Sequence, residues 1–153
     1  MEPSTAATKS LQNAYRLFLS DLEILPEEAF TRKFAEKTRT VADIAYEVSL
    51  VNDHSSMILR GEEPFAWPEG WVKAPPELTH KAQVIDAFTQ TRDKVMETVN
   101  RFSEEALSEP ITTPEGPSTR GASVRFMTLH MWYHLGQLNF IQTLLGDDRW
   151  NWN

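Results

Sequence analysis

Four long segments without proline constrain the fold of this chain more than any other feature of its sequence. Each segment carries apolar residues three or four positions apart, the spacing that places side chains on one face of an α-helix. We therefore predict an all-α protein with the architecture of a four-helix bundle. The four predicted helices are 9–24, 41–60, 79–101 and 122–145.

Local signals mark where the predicted helices begin and end. Thr40 is a suitable N-cap for the second helix, and Gly61 suits the position just after it. The proline-containing segments 64–76 and 110–121 predict long loops after the second and third helices. No segment predicts a strand, and we expect residues 1–153 to form a single domain.

Composition narrows the possible functions. The formal net charge is −7, which argues against nucleic acids and anionic membranes, because both select clustered Lys and Arg. No apolar run approaches the roughly 20 residues of a membrane span, and the first residues do not resemble a signal peptide, so we expect a cytoplasmic protein. The chain has no cysteine, which excludes disulfides, cysteine nucleophiles and thiolate metal ligands.

The fourth predicted helix is apolar on nearly all of its sides. One apolar face must meet the core of the bundle, and a second apolar face needs another partner. Burial on several sides within the bundle would satisfy this pattern, and so would a homodimer. We carry the homodimer forward as an expectation. The apolar residues of this helix are Phe126, Met127, Leu129, Met131, Trp132, Tyr133, Leu135, Leu138, Phe140, Ile141, Leu144 and Leu145.

The same helix carries the most informative polar residues, His130 and His134. Residues four apart on a helix lie on one face, about 6 Å apart along its axis, so two imidazoles at this spacing can bind one metal ion. The simpler explanation is a pair of hydrogen-bonded polar groups on a core helix. Burying two imidazoles costs free energy unless they are paired or coordinated. A metal site is therefore about as good an explanation as a hydrogen-bonded pair.

A third metal ligand should come from another helix, and the second helix offers Glu47 and His54. Both fall on its apolar face about 10.5 Å apart along the axis, so only one of them can join the histidine pair at one ion. Ligand preference favours His54. A buried carboxylate at Glu47 needs a cation, which a metal ion or an Arg or Lys of a neighbouring helix could supply. His54 could equally be a partly exposed side chain near the helix end, so the residues alone leave the choice open.

Three stretches of the chain resemble the DinB/YfiT-like superfamily. They are 40–52, 59–62 and 128–137, the last of which contains the pattern H-x-x-x-H-x-G-Q. The resemblance covers most of the chain and matches the helix order. It implies a four-helix bundle with a three-histidine metal site, often dimeric. In characterised members it implies a metal-dependent thiol transferase or isomerase that uses a low-molecular-weight thiol.

Carried over to this sequence, the resemblance implies His130 and His134 as two of the metal ligands. The remaining family histidine corresponds to Glu47, because the run Thr-Val-x-Asp-Ile-Ala leads up to that position, while His54 lies seven residues too late. The implied ligand set is therefore Glu47, His130 and His134. Two histidines and one carboxylate suit a divalent ion, zinc or nickel in the first place and iron or manganese otherwise.

The sequence thus predicts a metal-binding protein that acts as a metal-dependent enzyme, of hydrolase or thiol transferase type, on a small-molecule substrate or thiol. The alternative is a non-catalytic dimeric bundle with a decayed metal site, or a small-ligand sensor, because a fold does not dictate its chemistry. No catalytic base can be named. Gln137 could support the histidine pair, whereas helix packing is the preferred role for Asn139.

Overall fold

The computed structural model describes residues 5–152. Residues 1–4, which contain most of the segment considered above for a signal peptide, and Asn153 lie outside the described residues. Four long helices dominate the described part and form the predicted all-α bundle, and none of its helices is long and apolar enough to span a membrane. The helices are α1 (Ala6–Ile24), α2 (Val41–Leu59), α3 (Lys81–Val99), the short α4 (Glu104–Ser108) and α5 (Arg120–Leu144).

Capping residues fix the helix ends close to the predicted positions. The Thr40 hydroxyl accepts a hydrogen bond from the Asp43 amide at 3.1 Å, and the Asp43 carboxylate accepts one from the Thr40 amide, so α2 begins with a capping box. Gly61 follows α2 with φ of 73°, a left-handed conformation that glycine adopts without strain. α1 begins three residues earlier than predicted because Thr5 caps it through the Thr8 amide.

The helices pack so that α2 and α5 are neighbours. α1 packs chiefly against α3 and α5, and α2 packs against the same two helices. The first two helices therefore lie across the bundle from each other, and the chain does not simply run from each helix to its neighbour. In the core, Phe88 stacks on Phe18 with ring centres 4.7 Å apart and meets the ring of Tyr15 edge-on at 5.6 Å.

The expectation of no strand is wrong in the loop 110–121. There β1 (Pro110–Thr113) and β2 (Gly116–Thr119) form an antiparallel hairpin in which Thr113 pairs with Gly116 across a two-residue turn. Gly116 has φ of 121°, which only glycine adopts easily. The strands are four residues long and contain proline, too short and irregular for an alternating pattern to predict them.

One face of α5 is buried in the bundle, and another is left apolar and exposed. Met131, Leu135 and Leu138 on the inner face are fully buried. The exposed apolar side chains follow each other at helical spacing, which matches the second apolar face expected from the sequence. They are Phe126, Leu129, Tyr133, Phe140 and Leu144, referred to below as the α5 stripe.

The C-terminal tail packs back on its own bundle through Asp21 of α1. The Trp152 indole donates to Oδ1 of Asp21 at 2.9 Å, and the Asn139 amide donates to Oδ2 at 2.7 Å. Burial raises the pKa of Asp21 to about 6, although these two hydrogen bonds act in the opposite direction. The helix-packing role expected for Asn139 is therefore confirmed.

Candidate metal centre

His130 and His134 lie one turn apart on α5 and face α2. Their Nε2 atoms are 3.1 Å apart, and their ring planes are inclined by 76°. His134 is fully buried, and 15% of the His130 side chain is exposed. The helical spacing thus brings one nitrogen of each imidazole to the same place.

α2 brings Glu47 to these two nitrogens. Its Oε1 lies 3.5 Å from Nε2 of His130 and 3.5 Å from Nε2 of His134. The three atoms form a triangle with edges of 3.1, 3.5 and 3.5 Å. Ligand atoms about 2.0–2.2 Å from a tetrahedral zinc ion lie roughly 3.3–3.6 Å apart. The donor atoms and their spacing therefore fit one divalent ion.

The other carboxylate oxygen of Glu47 is held by Arg39. Nη1 of Arg39 donates to Oε2 of Glu47, and the guanidinium lies 4.5 Å above the centre of the Trp71 ring. Arg39 directly precedes the N-cap of α2, so this cation comes from the same segment as Glu47. The sequence predicts a salt-bridge partner for Glu47, if there is one, on a neighbouring helix. One carboxylate thus faces both the imidazole pair and a cation.

Gln137 determines which nitrogen of His134 is free. Its Oε1 lies 2.8 Å from Nδ1 of His134, so with the amide in this orientation Nδ1 carries the proton and Nε2 keeps its lone pair. This contact is the supporting one that the sequence suggested for Gln137. Nδ1 of His130 is buried without a hydrogen-bond partner among the described residues.

Both imidazoles are neutral at physiological pH. The pKa of His130 and of His134 is lowered from 6.5 to about 4, chiefly by burial and to a smaller extent by the nearby charge of Arg39. The neighbouring His130 also lowers the pKa of His134, whereas the hydrogen bond to Gln137 raises it. Metal ions bind neutral imidazole, so protons compete little for these nitrogens near pH 7.

The metal centre opens into a cleft of about 560 Å³ between α2, the loop after it and the β-hairpin. Glu47 and His130 line this cleft. His54 lies further along its wall, where its ring meets Phe65 at 5.2 Å and Trp67 at 5.8 Å. Among residues 5–152, the single group of three His or carboxylate side chains with ligand atoms within 4.8 Å of one another is Glu47, His130 and His134.

Two features of the site were not expected from the sequence. The first is Arg39, a basic residue next to the predicted N-cap and eight positions before Glu47. The hairpin brings Glu115 to the wall of the cleft, and the Pro-Glu-Gly turn between threonine-rich runs was the signal that could have predicted it.

Solved structures with the same fold match nearly the whole chain. A conserved protein from Enterococcus faecalis superposes with a TM-score of 0.73 at 16% identity, covering 96% of this chain and 99% of the other. A DinB-like protein from Bacillus cereus ATCC 10987 gives a TM-score of 0.72 at 14% identity, covering 92% and 91%. At these identities the likeness shows the fold alone.

A mycothiol-dependent maleylpyruvate isomerase has the same fold over part of its length. Its TM-score is 0.68 at 12% identity, and the match covers 89% of this chain but 60% of the isomerase. Comparison with functionally curated proteins gives no significant match. The sequence model of the DinB superfamily matches residues 10–138, from early in α1 to late in α5. The chain belongs to the DinB superfamily.

Proposed function

We propose that this protein is a metal-dependent enzyme that binds one divalent ion through Glu47, His130 and His134. The observation that carries the proposal is the triangle of three ligand atoms with edges of 3.1–3.5 Å beside a cleft that Glu47 and His130 line. Zinc or nickel is the proposed ion, because two imidazole nitrogens and one carboxylate oxygen suit either metal. Iron and manganese accept the same ligands.

The chain contributes ligands, their orientation and a partly enclosed cleft. Arg39 holds one oxygen of Glu47, so the other oxygen stays directed at the histidines. Gln137 keeps Nε2 of His134 unprotonated. A bound divalent ion would act as a Lewis acid and lower the pKa of a water molecule or a thiol at its open positions.

The proposed substrates are a low-molecular-weight thiol and a small electrophile, with hydrolysis of a small molecule as the related alternative. A cleft of about 560 Å³ is in the size range of small-molecule sites. The aromatic rings of Phe65 and Trp67 on its wall suit an apolar part of such a molecule. Support for a thiol comes from the isomerase described above, which shares the fold and is mycothiol-dependent.

The test compares metal-stripped protein with protein reloaded with zinc or nickel. Each form is offered a panel of low-molecular-weight thiols together with an electrophile whose substitution changes its absorbance. Turnover should appear in the loaded form alone and disappear in His134→Ala, because that variant lacks a ligand. Equal inactivity of the two forms with every thiol and with hydrolysable esters would contradict an enzymatic role.

A second candidate function follows from the contact between Arg39 and Glu47. The guanidinium neutralises the carboxylate without any ion, so the bundle could fold and bind a small molecule without metal. This protein would be a non-catalytic bundle or small-ligand sensor. Failure of the wild type to take up zinc, nickel or manganese in titrations would favour it over the metalloenzyme.

A further inference from the structure

A second cleft adjoins Arg39, between the segment 34–39 and α5. Its volume is about 440 Å³. Lys37 and Arg39 line it, and the described residues along its wall include no aspartate or glutamate. Apolar rings, among them Trp71 and Phe140, form much of the remaining wall. The cleft therefore combines two cations with an apolar surface.

Arg39 has hydrogen-bond donors to offer a molecule in this cleft. Its guanidinium lies over the ring of Trp71, and Glu47 is the acceptor that the described residues provide for it. A guanidinium carries five N–H donors in one plane, so several remain after the bond to Glu47. This planar arrangement matches the oxygens of a carboxylate.

The charge that Arg39 presents depends on the state of the metal centre. Without an ion, Glu47 compensates Arg39 directly. With a divalent ion bound, the charge of Glu47 is shared with that ion, and no acidic side chain of the described cleft wall replaces it. Arg39 and Lys37 then attract an anion more strongly, because Coulomb attraction is large where water is partly excluded.

We propose that this second cleft binds a small organic anion, with its carboxylate on Arg39 and Lys37 and its apolar body against Trp71 and Phe140. A metal ion at Glu47 strengthens this binding. The coupling to metal rests on the proposed function, whereas the anion site itself does not. The apolar wall distinguishes the ligand from inorganic anions, and the two cations distinguish it from uncharged apolar molecules.

Gly136 provides a way to close the cleft without disturbing the metal centre. It lines the cleft, and a Cβ atom added there would meet nothing within 4 Å. A larger side chain at this position therefore enters the cleft and leaves the core in place. Leucine also favours the helical conformation over glycine, so Gly136→Leu should fold.

The experiment is calorimetric titration of metal-free and zinc-loaded protein with phenylacetate. Its uncharged counterpart phenylacetamide and inorganic phosphate are the control ligands. Phenylacetate should bind on the order of tenfold more tightly than either control, because phenylacetamide lacks the charge-assisted hydrogen bond and phosphate lacks the apolar contact. It should bind more tightly still to the zinc-loaded form, and it should raise zinc affinity by the same factor.

Three variants locate the binding. Lys37→Gln should weaken phenylacetate binding severalfold, and Gly136→Leu should abolish it, while both still bind zinc. Lys33→Gln removes a charge from the same stretch of chain outside the cleft wall and should change nothing.

Equal affinity for phenylacetamide would overturn the proposal. So would full binding to Gly136→Leu, since phenylacetate would then bind outside this cleft, in the zinc-loaded form directly at the metal. If Gly136→Leu halves the mass in solution and leaves phenylacetate binding intact, a second copy of the chain occupies the cleft and the proposal fails. If the protein takes up no zinc but still binds phenylacetate as expected, the result contradicts the metal centre and supports the anion site.

Discussion

Glu47 joins two networks, because its two oxygens face different partners. Oε1 lies 3.5 Å from each imidazole nitrogen of the histidine pair, and Oε2 accepts from Arg39. A buried carboxylate is costly unless a cation compensates it. Here the guanidinium compensates the charge on one side and keeps the other oxygen directed at the proposed ion.

Gln137 should matter for metal affinity although it does not touch the proposed ion. Replacing it with leucine removes the acceptor for Nδ1–H of His134, so the proton is no longer kept on Nδ1. We expect Gln137→Leu to lower zinc affinity by roughly 10–100-fold, the usual effect of losing such a partner. Competition with a chromogenic chelator measures this change.

Gln137→Glu is the matched control, because a carboxylate still accepts from Nδ1–H. It should retain zinc affinity near that of the wild type. A Gln137→Leu variant that binds zinc as tightly as the wild type would show that His134 needs no such partner.

The histidine pair could be predicted from the sequence, because an offset of four on one helix fixes the distance between two side chains. The choice between Glu47 and His54 could not be made from the residues, since both lie on the apolar face of α2. Glu47 and His54 are too far apart along α2 for both to bind the same ion. The position of α5 relative to α2 decides which of the two faces the histidine pair. The contact of Arg39 with Glu47 could not be predicted, because the residues before an N-cap have no fixed periodicity.

At the scale of elements, the tail and α1 meet at a carboxylate with a raised pKa. Asp21 is buried, and its pKa is about 6 in the folded chain against 3.8 for a free side chain. The folded state therefore binds the proton more tightly than the unfolded state does. This group stabilises the fold below about pH 4, and the stabilisation is lost as the pH rises through about 6.

Asp21→Asn should remove this pH dependence. Between pH 4.5 and pH 7.5, the free energy of unfolding of the wild type should fall relative to that of the variant by roughly 2 kcal/mol. Urea unfolding of the metal-free proteins at both pH values measures it. Asp148→Asn, at an exposed position, is the control. A difference between wild type and Asp21→Asn that is the same at both pH values would contradict the role of Asp21.

The four long helices could be predicted to within three residues at each end, because caps and apolar spacing are local signals, whereas the five-residue α4 was not predicted. The hairpin was not predicted, because each of its strands has four residues and depends on pairing with the other, and the Pro-Glu-Gly turn was its one local signal. The spatial arrangement of the helices could not be predicted from the sequence either. The loops after the second and third helices are long enough for several connections. The position of α1 across from α2 is therefore determined by tertiary contacts.

At the scale of the whole molecule, the α5 stripe is the surface that should join two copies of the chain. Its side chains are about half exposed or more, from 48% for Leu144 to 64% for Phe140. Contiguous apolar surface of this kind is costly in water. We predict a homodimer through the end of the stripe at Phe126 and Leu129, outside the second cleft, with a mass in light scattering of twice that of the chain.

Leu129→Glu should dissociate that dimer, because it places a charge in the apolar contact. Leu129 is 61% exposed and lines neither cleft, so the fold and the proposed sites should persist. Ala82→Glu adds the same charge to the exposed surface of α3 and should leave the dimer intact. A monomeric wild type at every concentration would rule out the predicted assembly.

The most direct test of the central claim is zinc titration of four purified proteins by calorimetry at one pH. They are the wild type, Glu47→Ala, His54→Ala and Glu47→His. We predict one zinc ion per wild-type chain. Glu47→Ala should bind more than about 100-fold more weakly, because loss of a ligand exceeds the usual effect of losing a supporting contact. His54→Ala should bind almost as the wild type does, and Glu47→His should still bind zinc. If the wild type takes up no zinc, or if His54→Ala loses the ion while Glu47→Ala keeps it, the metal centre described here is wrong.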